Sequence, residues 1–294
     1  MDLMKFKIWY FVFSLLIILP GLYYLFTSGL KLGIDFTGGA LLEYQFEQSI
    51  KTDQLRSVVD KSGTEVGQIT ESGENAYIIR TKPLDQGKIA TIKKSLTEKF
   101  SGIEERRVEF VGPTIGKELQ QKALWALILA SIAIVLYIWF SFRKVPKPAS
   151  SLRFGICAIG ALLHDVLLVV GAFAILGKFL GVEVDTLFVI ALLTIIGFSV
   201  HDTIVVFDRI RENLLKNIGK KFIEVANISV VQTLGRSLNT SLTVVFVLVA
   251  LLLFGGETIK WFVVALLVGI ISGTYSSIFN ATALLVWWEE RLGH

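Results

Sequence analysis

The sequence predicts an α-helical membrane protein, a bundle of six transmembrane helices with one α+β domain of about ninety residues inserted after the first helix. Three observations predict it. The chain is 53% apolar with a mean hydropathy of +0.64, above the roughly 45–50% apolar of soluble domains. The excess is gathered into six runs long enough to cross about 30 Å of hydrocarbon at 1.5 Å per residue. One long polar interval, residues 28–122, separates the first run from the other five.

The runs lie at about 8–27, 123–142, 154–176, 186–207, 237–254 and 261–286. The expected division is therefore 1–27 for the N-terminus and first span, 28–122 for the inserted domain, and 123–294 for spans two to six with their loops. The net charge of +4 is not a nucleic-acid footprint, because 14 Lys/Arg cancel 14 Asp/Glu within 28–122. The surplus sits in alternate short connections. Lys5 and Lys7 precede span one; Arg143, Lys144, Lys147 and Arg153 join spans two and three; Arg209, Arg211, Lys216, Lys220, Lys221 and Arg236 join spans four and five. The opposite loops carry only Lys178 and Lys260. Short positive loops stay in the cytoplasm, whereas long domains translocate largely regardless of charge. Both termini are thus expected in the cytoplasm of an inner membrane and 28–122 outside. The first run is too long for a cleavable leader and no A-x-A site follows, so it reads as an uncleaved anchor. The single cysteine, Cys157, falls inside span three, so the outer domain must be stabilised without a disulfide.

Within the outer domain, residues 40–47 partly alternate and read as a strand. Residues 52–63 place Leu55, Val58 and Val59 at helical spacing, with Thr52 as a candidate cap and Gly63 as a stop. Residues 64–70 and 75–81 flank a turn cluster, Glu71-Ser72-Gly73-Glu74, and read as a hairpin. Residues 86–100 return to helical spacing through Ile89, Ile92, Leu96 and Phe100, capped by Asp85, and 106–112 close as a strand. The order β-α-β-β-α-β is a ferredoxin-like unit. It holds no His, no Cys and no Gly-rich phosphate loop, which suits a binding or mechanical module. Nothing in the chain asks for a cofactor, and scattered histidines without clustered thiols do not define a metal site.

Charged groups inside hydrocarbon are costly and call for a function. Asp165 lies near the middle of span three. Asp202 lies in span four, about 9 Å from Asp208 and Arg209 at that span's cytoplasmic end. Arg236 opens span five and is followed by Ser237, Asn239, Thr240, Ser241 and Thr243; on a helix Arg236, Thr240 and Thr243 share a face. Burial and a nearby cation push a carboxyl's charge state in opposite directions, and a balance between them suits proton exchange. The plainer alternative is that these groups only orient helices, with Arg236 an interfacial anchor. His164 and His201 precede the two aspartates. Adjacent helical residues point about 100° apart, so neither is expected to meet its Asp and both read as helix-contact residues. Gly269, Gly273, Ser277 and Asn280 fall along one stripe of span six, and Gly269-Ile270-Ile271-Ser272-Gly273 is a G-x-x-x-G packing match.

Three segments resemble one family, the SecF subunit of the bacterial protein translocase. Gly33-Ile34-Asp35-Phe36-Thr37-Gly38-Gly39 is similar to that family's G-x-D-F-x-G-G segment, which also fits the partner SecD loosely. In span four, Asp202-Thr203-Ile204-Val205-Val206-Phe207-Asp208-Arg209-Ile210-Arg211-Glu212-Asn213 resembles the D-T-I-V-V-x-D-R-I-R-E-N signature. Arg236-Ser237-Leu238-Asn239-Thr240-Ser241 is similar to R-[ST]-x-x-T-S. His201 stands where many relatives have Asn. The resemblance covers essentially the whole chain, with no SecD-like half. It implies a resistance-nodulation-division transporter-type bundle and pairing with SecD. It also implies action on the SecYEG channel and its preprotein late in export, driven by the proton motive force, with Asp202 and Arg236 in the proton pathway. Two rivals use the same pattern differently. A half-transporter for drugs or lipids would carry a larger outer domain. An intramembrane aspartyl protease would show G-x-G-D where this chain reads Ser199-Val200-His201-Asp202. A passive assembly scaffold is the third alternative.

Overall fold

The computed structural model describes residues 2–64, 66–84, 86–143, 145–146 and 149–292. The chain forms two compact units, Leu32–Trp125 and the combination of Met1–Lys31 with Ala126–His294.

After the first long helix, α1 (Lys7–Ser28), the smaller unit opens with a single helical turn, α2 (Ile34–Thr37). There follow β1 (Gly39–Gln45), α3 (Thr52–Lys61), β2 (Val66–Gly73), β3 (Ala76–Thr81), α4 (Gln86–Lys99) and β4 (Glu104–Val111). The sheet order is β2-β3-β1-β4, antiparallel throughout, which is the ferredoxin-like arrangement the element order predicts. Alternation along β1 sends Ala40, Leu42 and Tyr44 to one face, where Leu55, Val58 and Val59 of α3 and Ile92 and Leu96 of α4 cover them. The predicted cap Thr52 is instead the first helical residue, and the extended residue before it is Lys51, which makes no side-chain cap. Asp85 lies outside the described residues. Asn75, at φ 56°, turns the β2–β3 hairpin.

The G-x-D-F-x-G-G segment is a corner. α2 ends at Gly38, with φ +72°, and β1 begins at Gly39, with φ +149°. A β-carbon on Gly39 would stand 2.6 Å from the Thr81 carbonyl oxygen, so neither the angle nor the space admits a side chain.

The larger unit holds α5 (Pro113–Ser141) from Ala126 onward, α6 (Ser151–Leu180), α7 (Thr186–Lys216), α8 (Phe222–Phe254), α9 (Glu257–Tyr275) and α10 (Ala281–Arg291), together with α1. Among the described residues six stretches are long and apolar enough to span a membrane: Met4–Ser28, Pro113–Ser141, Ser151–Leu180, Thr186–Lys216, Phe222–Phe254 and Thr258–Arg291. Several helices outrun their apolar runs. α5 starts at Pro113, a residue suited to a first helical turn. α7 continues through Asp208–Lys216, and α8 begins at Phe222, so these charged stretches are helical rather than loops. Lys144 and Lys147 lie outside the described residues. The span-four and span-six stretches are the most buried and span two the least. The Asp185 side chain caps α7 by accepting from Phe188 N–H at 2.9 Å.

Candidate ion-coupling site

Span six is not one continuous α-helix. Between α9 and α10 the residues Ser276–Asn280 form a π-helical turn. A π turn inserts an extra residue, which rotates the residues after it relative to an unbroken α-helix. Ser276, Ser277 and Asn280 are all buried there. With Ser272 one turn earlier, this gives span six an inward row of hydroxyl and amide groups.

Asp165 of α6 stands against that row and is 0% exposed. Its Oδ2 accepts from Ser199 of α7 at 2.6 Å and from Ser276 at 2.6 Å. Its Oδ1 accepts from Ser272 at 2.9 Å and lies 2.9 Å from His164 Nδ1. The expectation that His164 and Asp165 point apart is corrected here, because short χ rotations bring neighbouring polar tips together even when their Cβ directions diverge. His164 Nε2 in turn lies 3.1 Å from Asn280 Nδ2, which donates to Ser14 Oγ of α1 at 2.6 Å. One connected polar chain therefore joins α1, α6, α7 and span six. Gly273 makes room for it: a β-carbon there would stand 3.3 Å from Ser199 Cβ and 3.5 Å from Asp165 Oδ2. One there on Gly269 would run into the Ile195 side chain.

Asp202 is one helical turn beyond Ser199 on α7 and is 2% exposed, but its surroundings differ. Its Oδ2 has no hydrogen-bond partner among the described residues. Its polar neighbours are His201 and Ser241 of α8. Ser241 Oγ itself pairs with Thr274 Oγ1 at 2.6 Å, and Ser237, one turn away on the same buried face of α8, also has a hydroxyl with no partner. Thr203 donates to Ser277 at 2.8 Å, and Ser277 to the Ser199 carbonyl at 3.0 Å.

Arg236 is not brought to Asp202. It lies fourteen residues beyond the start of α8, not at its mouth, and is exposed. Among the described residues it makes no ion pair. Thr240 and Thr243, on the same exposed face, fold their hydroxyls back onto α8 carbonyls at 3.0 and 2.7 Å. The span-four signature continues as a helical arm. Arg211 pairs with Asp208 at 2.6 Å and Arg209 with Glu212 at 2.7 Å, while Asn213 donates to Ser229 and Gln232 of α8 at 2.9 Å each.

Sequence reasoning missed three features. Glu289 of α10, 0% exposed, pairs with Arg153 of α6 at 2.9 Å; the signal was an acid in a tryptophan-rich helix end opposite a boundary arginine. Gly21 and Gly171 meet backbone to backbone, each leaving only 2.8–2.9 Å for a β-carbon of the other. The small residue after Pro20 was its only trace. The third is the role of Asn280, whose polarity in a buried span was visible but whose partner His164 was not. Among the described residues no group of three or more His, Cys, Asp or Glu could hold a metal ion.

Comparison with known proteins decides the family. The SecD/SecF GG motif matches residues 23–50, and the C-terminal region of the protein export membrane protein SecD/SecF matches residues 91–291. The chain belongs to the SecD/SecF family. It is 49% identical to the protein translocase subunit SecF of Thermobaculum terrenum, over 99% of this chain and 94% of that protein. It is 42% identical to the SecF subunit of Anaerolinea thermophila, over 96% and 92%. The crystal structure of SecDF from Thermus thermophilus, described as a translocon-associated membrane protein, superposes with a TM-score of 0.87 at 33% identity. That match covers 99% of this chain and 39% of the SecDF chain. This SecF-type chain is accordingly a multi-pass membrane protein with a six-helix bundle and an inserted ferredoxin-like domain.

Proposed function

We propose that the chain is the SecF-type auxiliary subunit of a preprotein translocase, that it pairs with a SecD-type chain, and that the pair draws on the proton motive force to promote late steps of export through a SecYEG channel. The family and the near full-length match to SecF subunits support the first part. The observation that carries the mechanism is Asp202, a carboxyl removed from the surface yet left with an unpartnered oxygen. A buried polar atom without a partner is costly and calls for an explanation, which for a carboxyl in a membrane span a change of protonation state supplies. Asp202 is proposed to take up and release the coupling proton, Asp165 to serve as a fixed anion on the same pathway, and Arg236 to tune it. Because Arg236 is exposed on α8 and makes no ion pair among the described residues, its counter-charge is proposed to come from the SecD-type partner. The match to 39% of a SecDF chain supports this, since most of that chain is protein this chain does not supply. An export role assigned to ion movement involves no bond-breaking chemistry, and neither protease nor drug-pump readings gain support from the relatives.

The test is export into inverted membrane vesicles with and without an uncoupler. Asp202→Asn should assemble with SecD yet lose the uncoupler-sensitive part of export. Full retention of that part would remove Asp202 from the pathway. The proposed orientation places both termini in the cytoplasm and the outer domain on the far side of an inner membrane. A cysteine replacing Ser72 should then react with an impermeant thiol reagent in intact spheroplasts; labelling only after lysis would reverse the topology.

A further inference from the structure

The Asn280 amide is satisfied at one end only. Nδ2 reaches Ser14 Oγ at 2.6 Å and His164 Nε2 at 3.1 Å, while Oδ1 is buried without a partner among the described residues. The other side of the imidazole fixes its state. Asp165, already accepting from Ser199, Ser272 and Ser276, is an acceptor when ionised, so His164 Nδ1 carries hydrogen and donates to it. Nε2 is then free to accept the Asn280 N–H, and the ring is neutral. Turned by 180°, the same amide would set Oδ1 between Ser14 and His164. The Ser14 hydroxyl can donate as readily as accept, and Nε2 would have to carry hydrogen. The two ends of a carboxamide have nearly the same shape, so this turn needs no backbone movement.

We propose that His164 is a second proton-binding site of the bundle, with Asp165 as its fixed anion and the Asn280 amide as the switch between its two states. Proton uptake forms an N–H bond at Nε2. It replaces the Asn280 N–H···Nε2 hydrogen bond with Nε2–H···Oδ1, and the proton comes from water. The His164–Asp165 pair passes from a net charge of −1 to 0. The anionic state is held by four donors to one carboxylate, and the neutral state removes a net charge from a region where charge is costly. Ionisable groups on the elements packed around the pair include Tyr10, Tyr23 and Tyr24 on α1, Cys157 on α6, His201 and Asp202 on α7, and Tyr275 in span six. The Arg153–Glu289 pair stands about 17 Å away along α6. Among the described residues, neither Lys nor Arg pairs with Asp165.

The site's use in export rests on the proton-coupled reading above; its existence does not, because the test reads the ring directly. The sequence has three histidines, so the double variant His201→Gln, His294→Gln leaves His164 alone. The full chain, purified through a histidine-free tag, labelled with 15N-histidine and held in lipid nanodiscs, is followed by NMR from about pH 5 to 9. The expected spectrum at high pH is a neutral ring protonated on Nδ1, converting to a doubly protonated ring as the pH falls. Asn280→Ala should move the midpoint by about tenfold or more in proton concentration. A ring that stays in one state throughout, or one whose neutral form carries hydrogen on Nε2, overturns the site. A midpoint unchanged in Asn280→Ala overturns the amide's part in it. Titration of His164 in a chain whose export ignores the uncoupler would keep the site and discard the coupling.

Discussion

Asp165 receives hydrogen bonds from three serines and faces an imidazole, whereas Asp202, one helix away and 2% exposed, keeps an oxygen with no partner. Two carboxyls of the same type at similar depth are thus handled in opposite ways. A fully donated carboxylate is rigid and holds four elements in register. An under-donated one has neither its charged nor its neutral form fully satisfied, which is the property the proposed proton exchange at Asp202 requires. Burial does not separate the two carboxyls; the count of donors does.

The largest expected effect follows from removing the satisfied member. Asp165→Ala would leave three buried hydroxyls and an imidazole facing a void, and should destabilise the bundle by about 2–5 kcal/mol. Asp202→Asn strands no donor network and should change stability by only about 1 kcal/mol, the usual size for a point substitution, while abolishing coupling. Unfolding of both variants in mixed micelles by titration with a denaturing detergent measures the contrast. Equal losses would mean that donor count does not distinguish them.

A smaller effect probes the space that admits the serine cage. Gly273→Leu would push a side chain against Ser199 and the Asp165 oxygen, and should cost about 1–3 kcal/mol. Recovery of the chain with its SecD-type partner and its thermal stability report the loss. Wild-type values for both would show that α7 and α9 part easily at this seam.

The six spans and the ferredoxin-like domain were legible because each rests on a period or a length: apolar runs of membrane width, alternation in β1, helical spacing in α3 and α4. Gly269 and Gly273 were legible for the same reason. The Asp165 cage was not. It depends on a π turn at Ser276–Asn280, which no propensity announces, and on Ser199 reaching it from another helix. The His164 contact failed because face arguments treat Cβ directions, while a hydrogen bond needs only that two tips meet. The position of Arg236 was misread because hydropathy finds where a helix turns apolar, not where it begins, and α8 begins at Phe222.

The smallest effect supplies the control, an unpartnered buried oxygen with no proposed function. The Tyr44 hydroxyl in β1 is buried without a hydrogen-bond partner. Burial first, and then Glu105 opposite it on β4, push its pKa up to about 12. The hydroxyl is neutral at ordinary pH, so its lack of a partner costs only a desolvated hydroxyl. Tyr44→Phe should therefore leave the outer domain unchanged or stabilise it by up to about 1 kcal/mol at pH 7. The pH dependence has a definite sign. An unfolded tyrosine releases its proton near pH 10, while the folded one holds it to about 12. Between those values the folded state binds more protons, so its stability falls as pH rises. Urea melts of residues 36–116 at neutral and alkaline pH should show the parent losing stability across that window and Tyr44→Phe losing less. If the two decline in parallel, the hydroxyl is not isolated in solution and its comparison with Asp202 fails.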